Sequence, residues 1–349
     1  MKLIVPPCIK AGDKVATVSL SWGGAGELTH KYEVGKQQLT DAFDVEVVEM
    51  PHTLDTAADV YANPKARAED LMQAFADPDI KGIFSCIGGN DSVRMLPYID
   101  FDVIRNNPKP FLGYSDSTIT HFICLKAGIR SYYGPSVMAG FAENGGLFPY
   151  MENSVRKALF TNEVIGEVKQ NTDGWVVKQY PWEDESLLHK KRILNPAMER
   201  KLLQGEGKVQ GHLIGGCMEV LEMLKGTVLW PELDVWKGAV LFFETSEDAH
   251  DAEEVIGWVR NLATQGILDV VNGIIIGRPG GDAVGEEYYQ AQDDAFMKVV
   301  KTECGLDIPI MSRMDFGHTD PQFVVPYGAM AEIDCENKKF TILESGCVS

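Results

Sequence analysis

The chain has 349 residues, 45% of them hydrophobic and 24% charged, and its 32 Lys and Arg against 51 Asp and Glu leave a formal net charge of -19. That length exceeds one typical core and predicts two domains of an ordinary soluble globular protein. A field of this sign repels a phosphate backbone and argues against nucleic acid as a partner, while leaving small ligands open.

The opening "MKLIVPPCIKAGDK" has a brief apolar run broken by Pro6 and Pro7, too short for a signal peptide. No later run suggests a membrane span, and the expected location is the cytoplasm. Seven scattered cysteines without a Cys-x-x-Cys pair predict free thiols rather than a disulfide framework or a zinc site.

In chain order, "KVATVSL" reads as a strand, followed by a Gly-rich turn and the helical "LTHKYEVGKQQLTDAF". "DVEVVEM" is a second strand, and "RAEDLMQAF" is an amphipathic helix with Leu71, Met72 and Phe75 on one face. "IKGIFSCIGG" is a buried strand ending in two glycines, "DSVRMLPYI" a short helix, "KPFLGYS" a strand, "STITHFICLKAG" a helix and "RSYYGPSV" the start of another strand. Such alternation predicts an α/β fold with a parallel sheet covered on both faces. The pattern weakens between about 166 and 207, a segment read as a linker carrying a functional loop. It resumes with "KVQGHLIGGCMEVLEMLKGT", "GAVLFFETSED", "VNGIIIGRPGG" and "IPIMSRMDFGHTD", and "AMAEIDCENKKFTILES" reads as a hairpin around Glu336 and Asn337.

In open α/β sheets, ligands sit beyond the carboxyl ends of the strands, so the turns after "FSCIGGND", "FLGYSDS", "HLIGGCME" and "LFFETSED" are the places to search. Ser115, at a strand-to-helix junction in Gly113-Tyr-Ser115-Asp-Ser117, resembles a nucleophile elbow with Ser117 in place of the last glycine. The alternative is a helix cap formed by Ser115, Asp116 or Ser117. His318 in "DFGHTDP" is the best-placed of seven histidines to serve as base. His121 and His212 fall inside elements, and His30, His52, His189 and His250 have surface-like surroundings. Glu244, directly after "VLFF", could orient the base or favour the start of the next helix with Glu247 and Asp248. Gly88 and Gly89 could bring backbone N–H groups to an oxyanion, or simply serve a turn needing positive φ. Cys217 is a rival nucleophile or a packing residue. No dinucleotide fingerprint, phosphate-binding loop or metal motif is present, so no cofactor and no metal are expected.

"RAEDLMQAFADPDIKGIFSCIGGND", "KPFLGYSDST", "YYGPSV", "LIGGCMEVL", "FFETSED" and "FGHTDPQFVVPYG" together resemble the LD-carboxypeptidase family of serine peptidases, in blocks running from about residue 12 to 335. The resemblance implies a flavodoxin-like parallel-sheet N-terminal domain (1–165), a linker and substrate loop (166–207) and a smaller β/α C-terminal domain (208–349). It implies a triad of Ser115, Glu244 and His318, oxyanion donors at the N–H groups of Gly89 and Asp116, and a homodimer.

Two branches of the family differ in substrate. Murein enzymes remove a terminal D-alanine from cell-wall tetrapeptides. The microcin C immunity branch cleaves the amide joining an aminoacyl group to a nucleotide-like moiety. Asn90-Asp91 after the glycines and Tyr133 before Gly134-Pro135 stand where the murein enzymes tend to carry Tyr-Gly and His, and "PWEDE" resembles an immunity-branch loop. On that reading Gly88, Asn90 and Trp182 bind substrate, with Trp182 stacked on a nucleobase; the alternative for Trp182 is an interdomain packing residue. A catalytically silent protein that sequesters a small ligand in the same cleft is the alternative from another class.

Overall fold

The computed structural model describes residues 2–281 and 285–349. The first sheet is built from β1 (Lys14–Val18), β2 (Glu46–Glu49), β3 (Ile80–Ser85), β4 (Phe111–Gly113) and β5 (Tyr132–Tyr133). Their spatial order is β5-β4-β3-β1-β2, all parallel, which is the flavodoxin-like order. The central strands are apolar and buried on both faces, because the crossovers put helices on each side. Those helices include Thr29–Phe43, Pro64–Ala76 and Thr118–Ala127.

The second sheet takes β6 (Val164–Glu167), β7 (Lys201–Gln204), β8 (Lys208–Cys217), β9 (Ala239–Glu244), β10 (Gly273–Gly277) and β11 (Ile310–Met314). After β12 (Val325–Pro326) come β13 (Met330–Asp334) and β14 (Lys339–Ser345), paired as the expected antiparallel hairpin with Asp334 opposite Lys339. Strands β8 to β11 are parallel at the centre, while β6, β14 and β13 on one side and β7 on the other run antiparallel as the flanks. Strand β12 crosses back to pair with β5, so the chain after His318 stitches the two sheets together.

Both sheets aim their carboxyl ends at one crevice. In the first, the order reverses between β1 and β3, the topological switch point where such sheets bind ligands. In the second, the parallel register sets Cys217 opposite Glu244, so the ends of β8 and β9 reach the crevice together.

The expectation of free thiols fails at one pair. Pro7 bridges Val348 and the Cys8 N–H donates to the Val348 carbonyl, which brings Cys8 and Cys347 into a disulfide. The two lie 339 residues apart in sequence, so only the tertiary docking of both ends onto one surface reveals the pairing. Cys86, Cys124, Cys217, Cys304 and Cys335 remain free thiols. Among the described residues no helix is long and apolar enough to cross a membrane.

Candidate active site

Strand β4 ends at Gly113, and the chain turns at once into a short 3-10 segment, Ser115–Ser117, that feeds the helix Thr118–Ala127. Ser115 is held at φ 63, a left-handed backbone uncommon outside glycine. Neither the 3-10 segment nor the helix receives a side-chain cap from Tyr114 or Ser117. The Asp116 carboxylate instead accepts the Ser92 N–H at 2.9 Å. The capping alternative therefore fails here, and the strained turn projects Ser115 into the crevice.

Gly88 lies against it. A Cβ on Gly88 would stand 2.8 Å from the Ser115 hydroxyl oxygen and 3.4 Å from the Asp116 nitrogen, so only glycine leaves room for the serine. Gly89 follows at φ 146, with its missing Cβ directed at Ser21. Among the described residues, the Gly89 and Asp116 N–H groups meet no acceptor, which leaves two donors beside the serine free for a ligand.

Glu244, the last residue of β9, is fully buried and is not part of a helix start. The next helix, Ala252–Thr264, begins beyond it and has its own capping box of Asp251 and Glu254. One Glu244 oxygen, Oε2, accepts the His318 Nδ1–H at 2.6 Å and the His318 backbone N–H at 3.2 Å. The other, Oε1, accepts the hydroxyl of Tyr133. Two glycines make room for this carboxylate: a Cβ on Gly277 would lie 2.9 Å from Glu244 Cβ, and one on Gly317 would lie 2.5 Å from Oε2.

Burial on its own would lower the His318 pKa, but the Glu244 carboxylate, helped by Glu247 and Glu219, outweighs it and raises the value from 6.5 to about 9. Its ring rests near Tyr114, centroids 4.9 Å apart. Cys217 also comes close, its sulfur within 4.8 Å of the Glu244 and His318 ligand atoms. Burial and then the neighbouring Glu244 and Glu219 carboxylates push this thiol well above its ordinary pKa. Burial and the neighbouring carboxylates disfavour the thiolate that a cysteine nucleophile needs, and Cys217 is fully buried against the sheet.

Ser115, His318, Gly88, Gly89 and Trp182 all line one cavity of about 600 Å³, together with Trp22, Tyr114 and Gln179. Asn90 lies outside it, in the wall of an adjoining cavity with Glu219, Glu247 and His250 that also opens on Ser115. Trp22 and Trp182 face each other with ring centroids 6.4 Å apart and planes tilted by 31°. Trp182 is carried by a loop whose backbone carbonyl accepts a 2.7 Å bond from His30 Nε2.

Sequence reasoning missed Trp22, Tyr133 as a site residue, Glu247 and His250. His30 and His250 are not the surface residues expected, since one holds the Trp182 loop and the other lines the second cavity. A usable signal existed for Trp22, which follows the end of β1 at the switch point. Nothing local marked the others.

Residues 15–134 match the LD-carboxypeptidase N-terminal domain and residues 210–333 the LD-carboxypeptidase C-terminal domain. The chain is 30% identical to the microcin C7 self-immunity protein MccF of Escherichia coli over 283 residues, 80% of this chain and 78% of that one. In structure it is similar to an MccF-like protein from Streptococcus pneumoniae in complex with AMP, with a TM-score of 0.85 at 29% identity over 95% of this chain and 98% of the other. It is also similar to MccF in complex with aspartyl sulfamoyl adenosine, with a TM-score of 0.84 at 26% identity over 99% of both chains. With both domain models matched in order along a two-domain α/β fold, the chain belongs to the LD-carboxypeptidase family of peptidases.

Proposed function

We propose that the chain is a serine hydrolase that uses Ser115, His318 and Glu244 to cleave the amide of an aminoacyl-nucleotide analogue. The observation that carries this reading is the 2.6 Å bond from His318 Nδ1 to buried Glu244, beside a serine held on a left-handed turn in the same cavity. His318 takes the Ser115 proton through Nε2 as the hydroxyl attacks the carbonyl carbon, and Glu244 holds the ring in the tautomer this needs. The oxyanion is met by the Gly89 and Asp116 N–H groups, each such donor worth about 3 kcal/mol of barrier. His318 then protonates the leaving nitrogen. Water, activated by the same imidazole, hydrolyses the acyl-enzyme and restores the serine.

The nucleotide side of the reading is supported by the paired Trp22 and Trp182 in the cavity wall, which offer aromatic faces to a base, and by the AMP and aspartyl sulfamoyl adenosine bound to the similar proteins. Gly88 contributes by leaving the serine uncovered, and Asn90 contributes from the wall of the second cavity, which also opens on Ser115. A homodimer and a cytoplasmic location belong to the same reading, the former open to light scattering and the latter to fractionation.

The test is a side-by-side assay of an aminoacyl sulfamoyl adenosine and a murein tetrapeptide, with wild type and Ser115→Ala. The wild type hydrolyses the nucleotide and the variant binds it without turnover. Preference for the tetrapeptide would replace the substrate class with the murein one. Binding of either compound without hydrolysis, and without covalent labelling of Ser115 by a fluorophosphonate, would make the chain a sequestering protein. Activity retained by Ser115→Ala would overturn the serine mechanism.

A further inference from the structure

Tyr133 ends β5, in register with Gly113 of β4, two residues before the strained serine. Its side chain is fully buried and crosses from the first sheet toward the second, with its ring against Phe242 and His121 at centroid distances of 5.6 and 5.5 Å. The phenolic oxygen accepts the backbone N–H of Ser115 at 3.0 Å and its hydroxyl donates to Oε1 of Glu244. One oxygen atom thus joins the backbone of the nucleophile to the carboxylate of the acid, and so one sheet to the other.

The direction of both bonds is settled by chemistry. A backbone N–H can only donate, so the phenol must accept from Ser115. Burial, and next the adjacent Glu244 carboxylate, hold the phenol's pKa well above its ordinary value, so the hydroxyl keeps its proton and donates to Glu244. Three consequences follow. The Ser115 N–H is occupied and cannot serve an oxyanion, which leaves that task to Gly89 and Asp116. Glu244, buried with no arginine or lysine bonded to it among the described residues, receives its third hydrogen bond here. The left-handed turn at Ser115 is tied from outside the turn itself.

We propose that Tyr133 is a positioning residue of the hydrolytic site, whose phenolic hydroxyl keeps the serine turn and the acid in mutual register and shares the Glu244 carboxylate with the His318 imidazole. It neither touches substrate nor transfers its proton. The proposal rests on the serine mechanism above and adds to it a group that the mechanism does not itself require.

The experiment measures pH profiles of kcat and kcat/KM on aminoacyl sulfamoyl adenosine for wild type, Tyr133→Phe and a protein with 3-fluorotyrosine at position 133. Losing the hydroxyl strands one buried donor and one buried acceptor, so Tyr133→Phe lowers kcat roughly 10- to 100-fold with KM nearly unchanged. The carboxylate, deprived of one donor, holds the His318 proton more strongly, so the acid limb of the profile moves to higher pH. The fluorinated ring keeps its shape and hydroxyl but is a stronger donor, so it moves the limb to lower pH. It also covers the case in which Tyr133→Phe fails to fold. Limbs that coincide in wild type and fluorinated protein, or a Tyr133→Phe protein that loses only thermal stability, would overturn the proposal. Should Ser115→Ala remain active, the serine mechanism falls instead, which the Tyr133 variants alone would not reveal.

Discussion

Glu247 Oε2 lies 3.5 Å from Nε2 of His318, the nitrogen that takes the Ser115 proton in the proposed mechanism. The Ser115 hydroxyl has no hydrogen bond among the described residues, so the imidazole is at this stage shared between two carboxylates. Glu247 is mostly exposed and can swing away, whereas Glu244 is locked in the core. The resting site therefore stabilises an imidazolium, and a substrate that displaces Glu247 relieves it.

A pH dependence follows from this arrangement. In the proposed mechanism the general base, His318, must be neutral, and its pKa is raised to about 9, so kcat/KM should climb about tenfold per pH unit through the neutral range and level off near that value. Glu247→Gln removes one of the carboxylates that hold the proton, moves the limb to lower pH and speeds the reaction at neutral pH. Identical limbs in the two proteins would show that Glu247 has no hold on the base. Linkage gives a second readout. With a folded pKa above 6.5, the His318–Glu244 pair stabilises the fold fully below that pH and loses its contribution as pH rises through about 9. The gap in melting temperature between wild type and Glu244→Gln should accordingly narrow at high pH.

Gly317 offers a test of how closely the acid is seated. It adopts φ 92, and a Cβ there would stand 2.5 Å from Glu244 Oε2. Gly317→Ala should cost about 1–2 kcal/mol from the left-handed backbone and, by displacing the carboxylate about 1 Å, about 100-fold in kcat. Gly226 is the control, because it has φ 82 with nothing within 4 Å of a Cβ. Gly226→Ala should pay the backbone cost and keep its turnover, measured by chemical unfolding and steady-state kinetics.

The parts of this site that were legible in the sequence share one property: each stands where a buried strand stops. Ser115 after β4, Glu244 at the end of β9, the Gly88–Gly89 pair after β3 and His318 after β11 all interrupt an apolar run with a residue type that the run does not explain. Tyr133 and Cys217 sit at strand ends as well, but a tyrosine or a cysteine suits a buried sheet, so local pattern cannot separate a phenol that bridges two sheets from one that packs. The disulfide and the Trp22–Trp182 pairing are hidden for a different reason, since each joins segments with no sequence period in common. Glu247 reads as one more carboxylate in an acidic turn until the fold folds it over His318.

The aromatic wall predicts a binding effect without a chemical one. Trp182→Ala removes a face on which a base can stack, an interaction worth roughly 1–3 kcal/mol. KM for an aminoacyl sulfamoyl adenosine should rise about 10-fold while kcat stays within a factor of a few. Trp22→Ala should behave alike, because the two rings face one gap. A variant whose KM is unchanged would return Trp182 to a packing role.

The loop that carries Trp182 is held by a buried charge cluster, and this gives the last prediction. Arg192 donates through Nε to Glu143 at 2.9 Å and through a terminal nitrogen to Asp320 at 2.7 Å, two residues beyond His318. All three are buried, so the cluster binds the loop to both the first sheet's flank and the histidine's own segment. Asn144 adds a 2.7 Å bond to the Leu187 carbonyl and Gly145 a 2.8 Å bond to that of Leu188. Taking away Arg192 leaves two carboxylates buried without their cation, a loss of about 3–5 kcal/mol. Arg192→Met should therefore destabilise the fold by that amount and raise KM for the nucleotide substrate by loosening Trp182. The double variant Arg192→Met/Glu143→Met removes one stranded charge and should recover a large part of the stability, with KM still raised. Denaturant unfolding separates the two contributions. If the single variant loses less than about 1 kcal/mol, exposed-pair behaviour applies and the loop must be held by its backbone bonds instead.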